Sequence, residues 1–281
     1  MKIKADLGVY AGIGFQKYWR FAQGTLAGNL TSKIINQADS KNIKLIGVMS
    51  ANEGEILENS VHDRYSFLWN EAQKIDYTKT ERDGNLFRII AKSKPYAFLN
   101  AQKVVTQDKD IRGDFIALGT NQIPSNLSLE NALNECEKKN AIPLLTTSCP
   151  FYNLDKSLIN DVQKFTGIVY DSEAGIEQEK DAKKIAETNN ISAFPISKSH
   201  RIPSIGKSYI EFDNSLIDLS SEKRALNSLR NILSNSKNFD SYIERENTFE
   251  GLRWKGPLGL WIIGHEIIGK RLSGIKRKSA L

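Results

Sequence analysis

The sequence predicts an α/β fold in which the strands close into a barrel. Apolar stretches of strand length alternate with helical stretches along most of the 281 residues, and this alternation is typical of strands that run mainly parallel. The number of such strands, about seven, favours a closed barrel over an open sheet. The chain is long enough for one large domain with a well-buried core.

The strands are predicted from short apolar runs that end in polar loops. They cover residues 3–7, 44–49, 86–91, 97–105, 114–118, 142–147, 167–170 and 191–196, with a half-alternating run at 205–212. Helical patterns occupy residues 30–41, 61–74, 154–165 and 176–188. Ser128 is placed to cap another helix, and Ser220 or Ser221 to cap the last one. The dipeptide Asp83-Gly84 predicts a hairpin turn.

The stretch from residue 191 to residue 212 indicates where the function resides. An apolar run of strand length is followed at once by the polar loop Ser197-Lys198-Ser199-His200. Ligands of α/β folds collect at the carboxyl ends of the strands, so this loop is a candidate site. Lys198 argues against a simple metal site around His200, because an ammonium group does not bind a cation.

The net charge of +6 is confined to the C-terminal end. Seven basic residues and one acidic residue lie from Arg253 onward, and the rest of the chain is balanced. Residues 258–272 also have helical apolar spacing, in a run too short to span a membrane. The tail either docks on the barrel, lies on an anionic membrane surface, or contacts nucleic acid phosphates through Arg253 to Lys278.

The N-terminal residues and the cysteines indicate the cellular compartment of the protein. The first four residues lead directly into a strand without an apolar signal region, so a cytoplasmic protein is predicted, with a peripheral position at the membrane as an alternative. Cys136 and Cys149 form no disulfide framework and are predicted to be reduced thiols. Cys149 follows a strand, but no second histidine near it in sequence provides a base, which favours a small buried residue over a nucleophile.

The strand-end loops, in their order and spacing, resemble the PHP (polymerase and histidinol phosphatase) superfamily over about residues 2–212. The blocks that carry the resemblance are residues 4–7, 34–52, 113–151 and 197–212. The resemblance implies a distorted seven-stranded (βα) barrel of TIM-like form, which we assign to residues 1–215. The helical patterns that follow predict a C-terminal extension over residues 216–281, packed on or flanking the barrel and ending in the basic tail. Members of the family bind up to three metal ions through His and Asp/Glu side chains and hydrolyse phosphoesters.

Several of the family's metal ligands are replaced in this chain. Where the family opens with Asp-Leu-His-x-His, the sequence has Asp6-Leu7-Gly8-Val9-Tyr10, without either histidine. The family's Thr-Asp-His-Asn loop resembles Met49-Ser50-Ala51-Asn52, in which the aspartate and the histidine are missing. The Ser-Asp-Ala-His loop resembles Ser197-Lys198-Ser199-His200, in which a lysine replaces the aspartate and the histidine remains.

The central blocks of the family pattern are changed in the same way. The family's glutamate falls near Lys103, its Gly-His strand start becomes Gly113-Asp114, and its His-Pro becomes Cys149-Pro150. Of the ligand set that the resemblance implies, Asp6 and His200 keep their residue types. A lysine about 4 Å from a cation raises its energy by about 4 kcal/mol per unit charge at an effective dielectric constant near 20. A metal cluster of the family type, and with it any cofactor, is therefore not expected.

The prediction is thus a catalytically degenerate PHP-like protein that acts as a non-catalytic binding or scaffold protein. One alternative is a metal-dependent phosphoesterase with a rewired site for one divalent transition metal, zinc or manganese, held by Asp6, Asp114, Cys149 and His200. A second is a nucleic-acid-binding barrel. Lys103 and Lys198 could pair with nearby aspartates or bind an anion directly. The predicted vestigial pocket consists of Asp6, Gly8, Tyr10, Ser50, Ala51, Asn52, Lys103, Asp114, Cys149, Lys198 and His200.

Overall fold

An eleven-stranded sheet that curls into a nearly closed barrel dominates the computed structural model of the chain. The structure describes residues 1–9, 30–51, 64–75, 78–108, 111–124, 127–146, 161–171, 176–197 and 202–245. The strands are β1 (Lys2–Val9), β2 (Ile43–Ala51), β3 (Thr78–Asp83), β4 (Leu86–Ala91), β5 (Lys94–Asp108), β6 (Ile111–Leu118), β7 (Ile142–Thr146), β8 (Gly167–Asp171), β9 (Ser192–Ile196), β10 (Ser208–Asp213) and β11 (Phe239–Ile243).

Five α-helices accompany the sheet in the described part of the chain. They are α1 (Leu30–Ser40), α2 (Arg64–Ala72), α3 (Leu129–Lys138), α4 (Ile176–Asn189) and α5 (Glu222–Leu233). Both predicted caps are confirmed, because the hydroxyl groups of Ser128 and Ser221 accept from backbone amides in the first turns of α3 and α5. The predicted helix at residues 154–165 lies mostly outside the described residues; residues 162–164 form a 3-10 turn.

The strand order is β11-β10-β1-β2-β5-β6-β7-β8-β9, and the hairpin β3-β4 is attached beside β5. The expectation of mainly parallel strands is wrong: four of the ten described pairings are parallel, namely β1-β2, β2-β5, β7-β8 and β8-β9, and six are antiparallel. One reason is that β4 to β5 and β5 to β6 are separated by only two residues, a connection that cannot join parallel strands.

Two strands, β3 and β11, were not predicted from the sequence. Residues 78–83 read Thr-Lys-Thr-Glu-Arg-Asp, which has no apolar position to indicate a strand. The predicted turn at Asp83-Gly84 is confirmed, and it joins β3 to β4. A second tight turn at Lys92 and Ser93, both with positive φ, joins β4 to β5.

The barrel interior is filled by alternate residues of the strands, as the two-residue period of a β-strand requires. One apolar cluster contains residues of ten strands, among them Leu7, Leu45, Leu99, Ile116, Leu144, Val169, Phe194 and Ile210. The buried face of α5 belongs to the same cluster. The hydroxyl group of Ser192, at the start of β9, donates to the carbonyl of Leu233, so α5 covers the end of the barrel where the parallel strands begin.

Two further apolar clusters hold the other helices against the outside of the barrel. Residues of α1 and α2 pack with the outer faces of β2, β4 and β5, where Phe87 and Phe98 stack with their ring centroids 4.6 Å apart. Residues of α3 and α4 pack with the outer faces of β6, β7 and β8. The predicted fold class, a TIM-like α/β barrel, is therefore confirmed.

Residues Met1–Glu244 form one compact unit and Arg245–Leu281 a second. The sequence analysis places residues from 216 onward in a C-terminal extension. Helix α5 and strand β11 lie beyond this residue and belong to the first unit. The basic tail from Arg253 to Lys278 lies outside the described residues. Among the helices that the structure describes, none is long and apolar enough to cross a membrane.

Replacing Leu229 by alanine tests whether α5 closes the barrel. Leu229 is fully buried in the barrel-interior cluster, so Leu229→Ala should lower the free energy of unfolding by about 2–5 kcal/mol. Lys223→Ala on the exposed face of α5 should change it by less than about 0.5 kcal/mol. Urea unfolding followed by circular dichroism measures both, and equal effects would contradict the role of α5.

Candidate functional site

Asp6 lies in the wall of the barrel, where it connects β1 to two other parts of the chain. One carboxylate oxygen, Oδ1, accepts from the backbone amides of Gly8 and Ser197, each at 3.4 Å. The other, Oδ2, accepts from the backbone amide of Gly206 at 2.8 Å. Ser197 follows β9 and Gly206 precedes β10, so one side chain fixes the carboxyl end of β9 and the approach to β10 against β1.

Burial of the Asp6 side chain disfavours its charged form, and hydrogen bonds to its carboxylate offset part of this effect. The side chain is fully buried, and this burial raises its pKa from 3.8 to about 6, although hydrogen bonds from Gly206, Ser197 and Gly8 act in the opposite direction. Gly206 adopts a φ of +75°, a conformation that residues with a Cβ rarely adopt, which allows its amide to point at Asp6. The backbone around Asp6 is thus shaped to satisfy this carboxylate.

Gly8 occupies a position with no room for a side chain. A Cβ atom at Gly8 would lie 2.7 Å from Cβ and 2.8 Å from Cδ1 of Ile196 on β9. Carbon atoms at van der Waals contact are about 3.5–4.0 Å apart. Ile196 is itself buried in the barrel-interior cluster, so a histidine at position 8 would require this isoleucine to move.

Lys103 lies at the carboxyl end of the barrel on the inner face of β5. Leu99 and Ala101, on the same strand, belong to the barrel-interior cluster, and the two-residue period of the strand places Lys103 on the same face. Its neighbours in register are Ala51 on β2 and Ile116 on β6. The lysine is half-buried and interacts with another group of the chain.

The remaining residues of the predicted pocket are described in part or not at all. Ser50 and Ala51 are the last residues of β2, and Asp114 lies in β6 opposite Val105, but the structure describes no side chain at these three positions. Tyr10, Asn52, Cys149, Lys198 and His200 lie outside the described residues. The composition of the pocket therefore stays a prediction beyond Asp6, Gly8 and Lys103.

Gln102, which was not singled out from the sequence, fixes the part of β5 that carries Lys103. Its amide group is fully buried, donates to the carbonyl of Ile123 at 2.7 Å and accepts from the amide of Ile123 at 2.8 Å. This pair of bonds holds the loop after β6 against β5. Nothing in the sequence around Gln102 or Gly206 indicated their partners, because both partners are distant along the chain.

The described residues do not fit the metal centre that the PHP resemblance implies. In the described part of the chain, no three His, Cys, Asp or Glu side chains lie close enough together to hold a metal ion. The carboxylate of Asp6 already accepts from three backbone amides, and position 8 has no room for an imidazole. The side chains of Asp114, Cys149 and His200 are outside this test.

Comparison with known proteins supports the fold. No protein-family model matches the sequence, and no curated protein is similar to it. The solved structure of PsfC from Pseudomonas syringae matches with a TM-score of 0.57 and 12% identity, over 86% of this chain and 91% of that one.

A second solved structure has a similar fold. It is a two-domain protein from Bacteroides vulgatus that contains a predicted PHP-like metal-dependent phosphoesterase, with a TM-score of 0.52 and 10% identity. The match covers 86% of this chain and 65% of that one. At these identities the likeness shows the fold alone, and this chain has a PHP-like barrel.

The raised pKa of Asp6 predicts a specific pH dependence of stability. Because the folded state holds the proton more tightly than the unfolded chain, Asp6 favours folding below about pH 4, and this contribution is lost as the pH rises through about 6. At about 1.4 kcal/mol per pH unit, the loss between the two pKa values is roughly 3 kcal/mol.

The variant Asp6→Asn isolates this effect, because it cannot titrate. The NH₂ group of the asparagine would face the backbone N–H of Gly206, or those of Gly8 and Ser197, and a donor cannot accept their hydrogen bonds. We therefore expect the variant to be less stable than the wild type at every pH. The difference in unfolding free energy should be larger at pH 4.5 than at pH 7.5 in urea titrations. A difference independent of pH would show that Asp6 does not titrate in this range.

The close approach of Gly8 to Ile196 predicts a destabilising Gly8→Ala substitution. The added methyl group should lower the free energy of unfolding by about 1–3 kcal/mol, as other over-packed sites do. Combining it with Ile196→Gly, which removes Cβ as well as Cδ1 of the isoleucine, relieves the clash, so the double variant should be more stable than the sum of the two single effects predicts. Additive effects in thermal or urea unfolding would mean that the two residues do not compete for this space.

Proposed function

We propose that this chain is a PHP-fold barrel without the family's metal-dependent phosphoesterase centre, and that it acts as a non-catalytic binding or scaffold protein. The observation that carries the proposal is the contact between Gly8 and Ile196. The first histidine of the family's Asp-Leu-His-x-His pattern corresponds to Gly8, and the side chain of Ile196 fills the space that this imidazole would need.

The surroundings of Asp6 and Lys103 support the same proposal. A divalent cation is bound by oxygen atoms whose lone pairs face it, and backbone N–H groups approach both carboxylate oxygens of Asp6. On the inner face of β5, Lys103 places an ammonium group where the family pattern has a glutamate. Lys103 removes a negative charge from the site, and the hydrogen bonds to Asp6 make its carboxylate less accessible to a cation. A metal cluster would need such negative charges around it.

The alternative is a phosphoesterase with a reduced site built around Asp114, Cys149 and His200. The observation that favours it is the similarity of the barrel to a protein described as containing a predicted PHP-like metal-dependent phosphoesterase. Such an enzyme would use one transition metal, for which a thiolate, an imidazole and a carboxylate are suitable ligands.

Metal content separates these two functions. We expect the untagged protein, purified without chelators, to contain zinc, manganese and iron at far below one equivalent by inductively coupled plasma mass spectrometry. It should also show no hydrolysis of p-nitrophenyl phosphate when these metals are added. His62→Ala serves as the control for His200→Ala, since it also removes one of the three histidines. A stoichiometric metal lost in His200→Ala and retained in His62→Ala, together with hydrolysis, would establish the enzyme instead.

A further inference from the structure

We draw no further inference here: the strongest candidate, a cleft of about 570 Å³ between α3 and α5, has both of its cationic side chains paired within the chain, Arg230 with Asn140, Ala141 and Asn227 and Lys164 with Asp161, and nothing in the structure shows what would occupy it.

Discussion

The carboxylate of Asp6 is the interaction on which the rest of the barrel depends. In the described strand order, β9 and β11 are the two ends of the path, and no ladder of strand hydrogen bonds joins β9 to β1. Asp6 joins β1 to the end of β9 across this seam through the amide of Ser197, and it also accepts from the amide of Gly206, which precedes the paired strand β10. Each amide would otherwise need another partner, because a buried N–H without an acceptor costs about 1–3 kcal/mol. Asp6 thus acts as a structural acceptor in this barrel.

The glycine at position 8 is coupled to the packing of a neighbouring strand. Ile196 and Gly8 are adjacent across the same seam, and the side chain of one occupies the space that the other leaves open. Returning a histidine to position 8 would therefore require changes in β9 as well as in β1. Lys103, on the inner face of β5, lies near the same end of the barrel, where an α/β fold binds its ligands.

The order of apolar runs and caps predicted much of the fold correctly. The predicted starts of α3 and α5 are confirmed, because a serine cap is a local interaction that the sequence displays directly. Strand direction was predicted incorrectly, since an apolar run reads the same in a parallel and an antiparallel pairing. The charged strand β3 was missed because its stability comes from pairing with β4 and not from burial of its own side chains. In the site, the change from histidine to Gly8 was visible in the sequence, and the reason that position 8 stays small was not.

The α/β barrel class, the order of most strands and the residue types at the strand ends could all be predicted from the sequence. These depend on the local period of apolar residues and on short motifs, which need no knowledge of distant contacts. The contacts that these residues make depend on the tertiary structure. Asp6 accepts hydrogen bonds from Gly206 and Ser197, and Gln102 forms hydrogen bonds with Ile123. Gly8 lies against Ile196. The partners are far apart along the chain, so no local sequence pattern indicates these contacts. Burial and the hydrogen bonds of partners distant in sequence decide whether a carboxylate serves as a ligand or as a structural acceptor.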